Sequence, residues 1–474
     1  MTHTVEKIGG TSMSRVDELR DTLFIGERGP DDLYGRVFVV SAFGGITNLL
    51  LEHKKSGEPG VYAYFANDDT THGWHDMLDR VAEAMKEAHA GVLAHPGDIQ
   101  QADSFVNERI HGARNCLIDL QRLCSYGHFR LAEHMSQTRE LLSGLGEAHS
   151  AFTTTLMLQR AGVNARFVDL SGWHDEGDVS LDGRITGAFD GIDPATEMPI
   201  VTGYAQCAEG LMNEFDRGYS EVTFSRLAAL TGASEAIIHK EFHLSSSDPK
   251  LVGSGAVRKL GQTNYDVADQ LSNMGMEAIH PKAAKTLRQA DVPLRVTNAF
   301  EPSDPGTLIN DRPAKEPAVE IVTGLDIVTL EVFEQDMVGV KGYDAAILDV
   351  LKRHGVRIVS KVSNANTITH YLDASLKTMR RVENDIAQIY PSAEITTRTL
   401  SMVAVIGRDL SGLSVLSRGL LAIAAAGHTA IGASQGPRNV DVQFVLDRNA
   451  REPAIRALHA EFVVDDQSCL ARVA

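Results

Sequence analysis

The sequence lacks an excess of basic residues. Its 474 residues include 45 Lys and Arg against 63 Asp and Glu, which gives a net charge of −18 at pH 7. Nucleic-acid-binding proteins carry basic patches or a basic total, so no nucleic-acid partner is expected. A nucleotide is not excluded, because a few local cations and backbone N–H groups are enough to bind its phosphates.

Cysteine and long apolar runs are also scarce. The four cysteines form no C-x-x-C pair, so neither a disulfide framework nor a zinc site is expected, and we predict no metal ligand from the protein. No apolar run approaches the roughly 18 residues of a membrane span, and the first residues do not resemble a signal peptide. The sequence therefore predicts a cytoplasmic protein that makes no membrane contact.

Up to about residue 300, short apolar runs alternate with helical patterns. The predicted strands cover residues 37–40, 165–170, 199–202, 235–238 and 293–296. Strands that alternate with helices form mainly parallel sheets covered on both faces. We therefore predict an α/β fold, a three-layer αβα sandwich with a mainly parallel sheet. Residues 63–145 are predicted to form a helical excursion, a set of helices outside this sheet.

The pattern changes after a proline-rich segment. Four prolines between Glu301 and Pro317 predict a linker, because proline removes a backbone donor and disfavours helix before it. In the following residues the predicted element order β-α-β-β-α-β occurs twice, which predicts two ferredoxin-like modules. The predicted layout is a large domain over 1–310 and modules over 311–395 and 396–474, with 450–474 as a candidate segment to complete the first module.

Two glycine motifs follow the first two predicted strands. They are K-I-G-G-T-S over 7–12 and V-V-S-A-F-G-G-I-T-N over 39–48. Glycines let backbone N–H groups approach a phosphate, hydroxyls add donors, and a lysine stabilises a transferring phosphoryl group. Each motif alone is compatible with a plain glycine turn. Two such loops at strand ends, where open parallel sheets bind ligands, predict one phosphate site.

Further motifs add charged groups. S-G-L-G-E over 143–147 lies at a predicted junction into a helix over 148–160, and D-R-G-Y-S-E-V-T over 216–223 opens another predicted helix. An arginine beside glycine at a helix N-terminus suits carboxylate binding, although a capped helix with a surface arginine explains it as well. The stretch 245–250 predicts a turn with a cation, and His280 before Pro281 predicts a helix start.

Taken in this order, the motifs resemble those of the aspartate kinases of the amino-acid kinase superfamily. Residues 7–12, 39–48 and 143–147 match the family's K-[FY]-G-G-T-S, V-V-S-A-x-G-G-x-T-N and S-x-G-E elements. Residues 216–223, 246–250 and 278–281 are similar to its G-R-G-G-S-D-x-T, T-T-D-P-R and V-L-H-P elements. The two C-terminal modules look like the ACT modules that such enzymes use for feedback control, so the resemblance covers essentially the whole chain.

The resemblance implies that ATP, with Mg2+, phosphorylates the side-chain carboxylate of aspartate to 4-phospho-L-aspartate, a first step of aspartate-family or ectoine biosynthesis. Lys7 is implied as catalytic, together with Glu221 in place of the acid that orients the lysine. The residues implied in ATP and phosphate binding are Lys7, Gly9, Gly10, Thr11, Ser12, Gly44, Gly45 and Lys250. Those implied in aspartate binding are Ser41, Thr47, Glu147, Arg217 and Ser220, with Glu147 facing the ammonium group and Arg217 a carboxylate.

The likeness to ACT modules implies regulation and assembly. An amino-acid effector is expected near Asp336, Met337 and Val338, at the first strand-to-helix turn, and near Asn364. Lysine-sensitive relatives have a Ser-Glu pair where this chain has Asn364-Ala365, so we expect weak or absent inhibition by lysine. ACT modules commonly pair edge to edge, which implies a homodimer or a higher homo-oligomer.

The chain departs from the family pattern in three places. Asp216, Tyr219 and Glu221 stand where the family has Gly, Gly and Asp, residues 238–240 replace a W-T-D segment that contacts the nucleotide, and Glu277 replaces a lysine. These variants look like the aspartate kinase branch found with ectoine synthesis, and they leave the adenine and ribose contacts unassigned.

Two alternatives to an aspartate kinase remain open. One is a kinase of glutamate or N-acetylglutamate, although such enzymes usually lack the tandem ACT modules and the S-x-G-E element. The other is a non-catalytic amino-acid sensor, which the altered nucleotide segment favours and the intact lysine and glycine loops oppose.

Overall fold

The computed structural model describes residues 2–54, 56–67, 73–175, 178–215, 218–276 and 278–464. The chain folds as two compact units. The first comprises Met1–Leu244 with Ile279–Asn310, and the second comprises Ser245–Ala278 with Asp311–Ala474. Arg217 and Glu277 lie outside the described residues, so the prediction for Arg217 cannot be placed on the structure.

Most strands are short. In chain order the described strands are β1 (Thr4–Ile8), β2 (Arg36–Val40), β3 (Ala165–Val168), β4 (Met198–Thr202), β5 (Glu235–Lys240), β6 (Gln262–Thr263), β7 (Leu294–Asn298), β8 (Thr307–Ile309), β9 (Ile321–Phe333), β10 (Arg357–Ser363), β11 (Thr367–Asp373), β12 (Glu394–Ile406), β13 (Gly432–Gln435) and β14 (Asp441–Asp447). The predicted strands before residue 300 correspond to β2, β3, β4, β5 and β7.

The helices range from single turns to 30 residues. In chain order they are α1 (Gly10–Met13), α2 (Val16–Leu19), α3 (Pro30–Leu33), α4 (Ile46–Leu50), α5 (Val61–Asn67), α6 (Gly73–Ala90), α7 (Pro96–Cys124), α8 (Leu131–Arg160), α9 (Leu181–Ala188), α10 (Leu211–Phe215), α11 (Tyr219–Thr231), α12 (Pro249–Val252), α13 (Tyr265–Asn273), α14 (Pro281–Gln289), α15 (Tyr343–Arg353), α16 (Leu376–Ile389), α17 (Val415–Ala425) and α18 (Arg451–His459). No helix in the described ranges has both the length and the apolar character that a membrane crossing requires.

The first unit is built on a mainly parallel sheet, which confirms the predicted α/β class. Its strands lie in the order β3-β4-β2-β1-β5-β7-β8, and only the β7–β8 pair is antiparallel. β1 lies between β2 and β5, with Lys7 opposite Val39 and Ile238. β2 and β4 are buried along their whole length, as expected for apolar runs in a sheet covered on both faces. The carboxyl ends of β1, β2, β4 and β5 therefore meet at one edge of the sheet.

The predicted helical excursion is present as α5 to α8. The predicted helix start at residue 148 is wrong, because α8 runs unbroken from Leu131 to Arg160 and contains the S-G-L-G-E stretch. Glycine inside a helix costs about 1 kcal/mol relative to alanine. Close packing accounts for the two glycines of this helix, since a Cβ on Gly144 would lie 2.9 Å from the Tyr204 ring and one on Gly146 would lie 2.9 Å from the Ala42 Cβ.

The second unit is built on an antiparallel sheet in the order β10-β11-β9-β12-β14-β13. β9 and β12 pair along their whole length, from Ile321 opposite Ile406 to Phe333 opposite Glu394. Each of these strands therefore belongs to both modules, a sharing that the repeated β-α-β-β-α-β plan did not predict. One core packs α15 and α16 against the sheet, and another packs α17 and α18. Residues 451–464 form α18 and a π-helical turn.

Residues 245–278 fold with the second unit, whereas the sequence placed them in a domain over 1–310. The Val322 N–H donates to the Ser246 carbonyl at 2.8 Å, and the Ser246 Oγ lies 2.9 Å from the His459 Nε2. The Thr263 hydroxyl donates to Glu320 at 2.6 Å. These partners are far away in sequence, so local patterns could not reveal them.

Candidate active site

The two glycine loops touch each other at the carboxyl ends of β1 and β2. The Ser41 N–H donates to the Ile8 carbonyl at 3.1 Å, and a Cβ on Gly10 would lie 2.9 Å from the Ala42 carbonyl. Gly9 and Gly45 are the N-caps of α1 and α4, so both loops turn directly into helices. The predicted phosphate-binding glycines of the two motifs thus belong to one surface.

The Gly44-Gly45 turn is held by Ser14, the C-cap residue of α1. The Gly44 N–H donates to the Ser14 Oγ at 3.0 Å. Gly45 has a φ of 88°, a left-handed conformation that favours glycine. Thr47, a predicted substrate-binding residue, follows in the first turn of α4 and is half-buried.

Lys7 is almost buried and reaches over the first glycine loop. Its Nζ lies 3.4 Å from the Glu221 Oε1, and a Cβ on Gly9 would lie 4.0 Å from the same Nζ. The Glu221 Oε2 accepts the His280 N–H at 2.5 Å. Burial alone would raise the pKa of Glu221, but Lys7, Lys240 and the His280 N–H outweigh it and hold that pKa below its usual range. Glu221 is therefore an ionised partner that fixes the lysine.

Glu147 is a buried carboxylate with one free oxygen. The residue is 2% exposed and its Oε2 has no hydrogen-bond partner among the described residues. The Tyr219 side chain and the backbone of Tyr204 and Ala42 are its polar neighbours. Burial raises the pKa of Glu147 to about 8, although Lys7 and these polar neighbours lower it in part. A buried, unpaired acceptor is costly, so the site is suited to a ligand with a positive charge.

Gly203 and two serines complete the surroundings of Glu147. A Cβ on Gly203 would lie 2.8 Å from the Glu147 Oε2 and 2.8 Å from the Ser220 Cβ, so only glycine leaves this space open. The Ser41 and Ser220 hydroxyl oxygens are 3.5 Å apart. The structure therefore brings Ser41, Glu147 and Ser220 together beside Lys7.

Other predicted residues lie elsewhere or have other partners. The Ser12 hydroxyl is buried and donates to Glu241 at 2.7 Å, whereas Thr11 is exposed. Lys250 is exposed in α12 of the second unit. The contacts of Lys250 and Ser12 with phosphate stay predictions.

The predicted effector residues lie in the second unit. Met337 is buried in the core beneath α15 and α16, while Asp336 and Val338 are exposed. The Asn364 side-chain oxygen accepts the N–H groups of Asn366 and Thr367, which gives it a role in the turn between β10 and β11. An effector contact at these residues stays a prediction.

The sequence missed the roles of three residues. Tyr219 was noted as a departure from the family, not as a polar neighbour that lowers the pKa of Glu147. Glu241, which accepts the Ser12 hydroxyl, follows the altered 238–240 segment without being singled out. The predicted helix start at His280 is confirmed, since its ring accepts the Lys282 N–H at 3.3 Å as N-cap of α14. Its second role, the N–H donated to Glu221, depends on chain folding and has no local signal.

One group of side chains has the composition of a metal site. His243, Glu301 and Asp304 bring potential ligand atoms within 4.8 Å of one another. The His243 Nε2 lies 3.0 Å from the Glu301 Oε2, which is an ordinary hydrogen bond. Glu301 is exposed, so this contact needs no metal ion to explain it.

The arrangement at the edge of the sheet is suited to reactions of anions. It combines a lysine fixed by a carboxylate, two glycine loops with backbone N–H groups and a carboxylate that can pair with a cation. Such groups accelerate a transfer between two anionic reactants by positioning them and stabilising charge.

Comparisons with known proteins agree with this geometry. Residues 3–298 match the amino acid kinase family. The chain is 50% identical over 463 residues to aspartate kinase Ask_Ect of Stutzerimonas stutzeri strain A1501, covering 97% of each chain. It is 22% identical to the chloroplastic aspartokinase 2 of Arabidopsis thaliana, covering 98% of this chain and 84% of the relative.

Solved structures share the fold. Aspartokinase III of E. coli, in complex with lysine and aspartate, superposes with a TM-score of 0.72 at 17% identity and covers 97% of this chain and 99% of its own. The aspartate kinase of Clostridium acetobutylicum gives a TM-score of 0.70 at 16% identity, with 97% and 100% covered.

Proposed function

The chain belongs to the amino acid kinase family, and we propose that it is an aspartate kinase, which transfers the γ-phosphoryl group of ATP to the side-chain carboxylate of aspartate. The observation that carries this assignment is the buried Glu147, whose free Oε2 lies in the site of Lys7 and the glycine loops. Aspartate has an ammonium group to pair with it. The 50% identity to an aspartate kinase over nearly the whole chain supports the same substrate.

The reaction needs no general base. The aspartate side chain has a reference pKa of about 3.9 and is ionised at pH 7, so it can attack the γ-phosphorus directly. The new bond joins a carboxylate oxygen to phosphorus while the bond to the ADP oxygen breaks. Lys7 and the N–H groups of the glycine loops stabilise the charge of the transferring group.

Each remaining residue positions one of the reactants. Glu221 fixes Lys7, Glu147 pairs with the ammonium group of aspartate, and Ser41, Thr47 and Ser220 line the substrate side. We assign the α-carboxylate of aspartate to Arg217. N-acetylglutamate fits this site less well, because acetylation removes the cation that Glu147 would bind.

We also propose Mg2+ as the companion of ATP. The glycine loops present N–H and hydroxyl donors, which suit phosphate oxygens, so the ion would be held mainly by the nucleotide. Bound there, it would neutralise phosphate charge.

The second unit supports a regulatory role. We propose that its ACT-like modules bind an amino-acid effector near Asp336, Met337, Val338 and Asn364, and that they pair in a homodimer or higher homo-oligomer. Weak or absent inhibition by lysine, and a cytoplasmic location, stay predictions.

A coupled ADP-release assay with aspartate, glutamate and N-acetylglutamate tests the proposed substrate. We expect the highest kcat/KM with aspartate. A higher value with either of the other acids would overturn the assignment, and the absence of turnover with all three would favour a non-catalytic sensor.

A further inference from the structure

Two histidines and an aspartate form a chain of hydrogen bonds beside the second glycine loop (residues 41–45). The His149 Nε2 lies 3.1 Å from the His89 Nδ1, and the His89 Nε2 lies 3.1 Å from the Asp103 Oδ1. Both histidines are buried, with exposed fractions of 0% for His89 and 1% for His149. The three side chains come from α6, α7 and α8, so the chain of hydrogen bonds depends on the packing of the helical excursion.

These hydrogen bonds determine how the His149 ring is oriented. Burial lowers the pKa of both histidines, that of His149 to about 3, so each ring is neutral at pH 7 and has one N–H. Because a carboxylate only accepts, the N–H of His89 lies on Nε2 and its Nδ1 is an acceptor. The donor to this Nδ1 is the Nε2–H of His149. The single N–H of His149 is therefore directed at His89.

The His149 ring packs against the second glycine loop. The His149 and Phe43 rings meet edge to face, with centroids 5.3 Å apart and planes at 68°. Phe43 is 4% exposed and directly precedes the Gly44-Gly45 turn. Its carbonyl accepts the Ile46 N–H at 3.2 Å, which closes the turn that contains the two glycines. A displacement of Phe43 would therefore displace this turn.

Two more contacts of α8 fix the loop residues before Phe43. The Ser150 hydroxyl donates to the Ser41 carbonyl at 2.8 Å. Gly146 packs so closely on Ala42 that a Cβ would lie 2.9 Å from the Ala42 Cβ. Helix α8 therefore contacts three consecutive residues of the loop, and the aromatic contact is the nearest of these in sequence to the two glycines.

We propose that His149 is a positioning residue for ATP. Its ring holds Phe43 in place, and through Phe43 it holds the glycine turn that we assign to the phosphates. This inference rests on the function proposed above, because it concerns how the phosphoryl donor of that reaction is bound. A turn that is fixed before ATP binds needs less ordering on binding, which increases the affinity.

The affinity for ATP tests the proposal without turnover. Calorimetric titration of the full chain with ATP and Mg2+, in the absence of aspartate, gives the Kd. His149→Leu removes the ring and should raise this Kd about fivefold, the typical effect of one aromatic pair. The Kd for aspartate should change by less than about twofold, because Glu147 keeps its place on α8. His149→Phe retains a ring against Phe43 and should bind ATP within about twofold of the unaltered protein.

A double-mutant cycle tests whether His149 acts through Phe43. Phe43→Leu removes the other ring of the pair and should also raise the Kd for ATP about fivefold. Because the contact is then already lost, adding His149→Leu should change the Kd by less than about twofold, whereas independent effects would multiply to about 25-fold. Phe152→Leu is the matched control and should leave the Kd for ATP within about twofold. Phe152 lies on the same helix but stacks on Phe105, with centroids 4.4 Å apart.

His89→Leu tests the orienting hydrogen bond. It removes the acceptor of the His149 N–H, so the ring is free to turn away from Phe43. We expect the Kd for ATP to rise about threefold, the typical effect of one hydrogen bond. In the His149→Phe background there is no N–H to orient, and His89→Leu should leave the Kd within about twofold.

The outcomes separate this inference from the proposed function. An unchanged Kd for ATP in His149→Leu would overturn the role of His149, and so would multiplying effects in the double variant or equal losses for ATP and aspartate. Should His149→Leu not fold, an unchanged Kd in Phe43→Leu would overturn the inference in its place. If the unaltered protein binds ATP but does not phosphorylate aspartate, the proposed function fails while the Kd values still decide the role of His149. Absence of ATP binding by the unaltered protein would overturn both.

Discussion

Lys7 and Glu147 represent two uses of a charged group in one site. Lys7 has an ionised partner in Glu221 and is held in place, whereas Glu147 forms no ion pair within the part of the chain that the structure describes. The ion pair of Lys7 is formed before substrate binds, whereas Glu147 pairs with a cation when substrate binds. This difference explains why the pKa of Glu221 is lowered and that of Glu147 is raised.

Lys7→Ala should reduce kcat by about 100-fold or more, because the transferring phosphoryl group loses its cation. The fold should be retained, since Lys7 lies at the end of β1 and its loss leaves the strand's apolar neighbours intact. Lys86→Ala, on α6 and paired with Glu83 at 3.7 Å, is the control and should retain normal turnover. Near-normal kcat in Lys7→Ala would remove the lysine from the mechanism.

Glu147→Gln should separate stability from substrate binding. With a pKa of about 8 against an ordinary value of 4.5, folded Glu147 retains a proton that the unfolded chain loses between these two pH values, so the unfolding free energy falls as pH rises through this window. The glutamine variant lacks this loss. Its Tm should exceed that of the unaltered protein by on the order of 5 °C at pH 8, and by little near pH 4.5.

The same variant should bind aspartate much more weakly, because an amide does not pair with an ammonium group. Thermal unfolding at the two pH values and calorimetric titration with aspartate check both effects. An equal Tm difference at both pH values would contradict the raised pKa of Glu147.

At the scale of elements, α8 links the helical excursion to the site. Its Gly144 and Gly146 allow the helix to approach Tyr204 and the second glycine loop, and one turn later the helix presents Glu147. The sequence showed the S-G-L-G-E stretch but placed a helix start there, because paired glycines usually interrupt helices. Tertiary packing outweighs that local preference here.

Gly146→Ala should therefore destabilise the protein although it improves helix propensity. Its Cβ would lie 2.9 Å from the Ala42 Cβ and 3.1 Å from the Ile46 Cγ2, an overpacking that typically costs about 1–3 kcal/mol. Gly187→Ala in α9 meets nothing within 4 Å and should stabilise by about 0.5–1 kcal/mol. Denaturant unfolding of both variants checks the signs, and a stabilised Gly146→Ala would contradict the close approach.

How far the sequence could predict the molecule depends on the range of the contacts. The strands of the first unit, the face of α6 that buries Trp74 and Met77, and the glycine loops were visible because each depends on neighbouring residues. The Lys7–Glu221 and Glu221–His280 contacts join residues at least 59 positions apart. Neither the hydrophobic periodicity nor a sequence motif indicates such pairs.

At the scale of the whole molecule, the two units are not consecutive in sequence. Residues 245–278 lie between the two sequence segments of the first unit but fold with the second unit. There Glu320, Val322 and His459 form hydrogen bonds with their polar groups. A fragment that ends at residue 310 would contain this segment without those partners.

The fragment 1–310 should therefore be cleaved readily within 245–278 by limited proteolysis, whereas the full chain should resist cleavage there. The physical reason is that buried hydroxyls such as those of Ser246 and Thr263 lose their acceptors and become exposed. Equal protection of the segment in both proteins would show that it folds without residues 311–474.

The proposed function requires that the side-chain carboxylate of aspartate receives the phosphoryl group. The most direct measurement is to trap the acyl phosphate with hydroxylamine during turnover with ATP and aspartate, and to identify the hydroxamate by mass spectrometry with an authentic standard. We expect the unaltered enzyme to yield the β-hydroxamate of aspartate, and Lys7→Ala to yield about 100-fold less or lower still. Trapping of the α-hydroxamate, or of none while ADP accumulates, would contradict it.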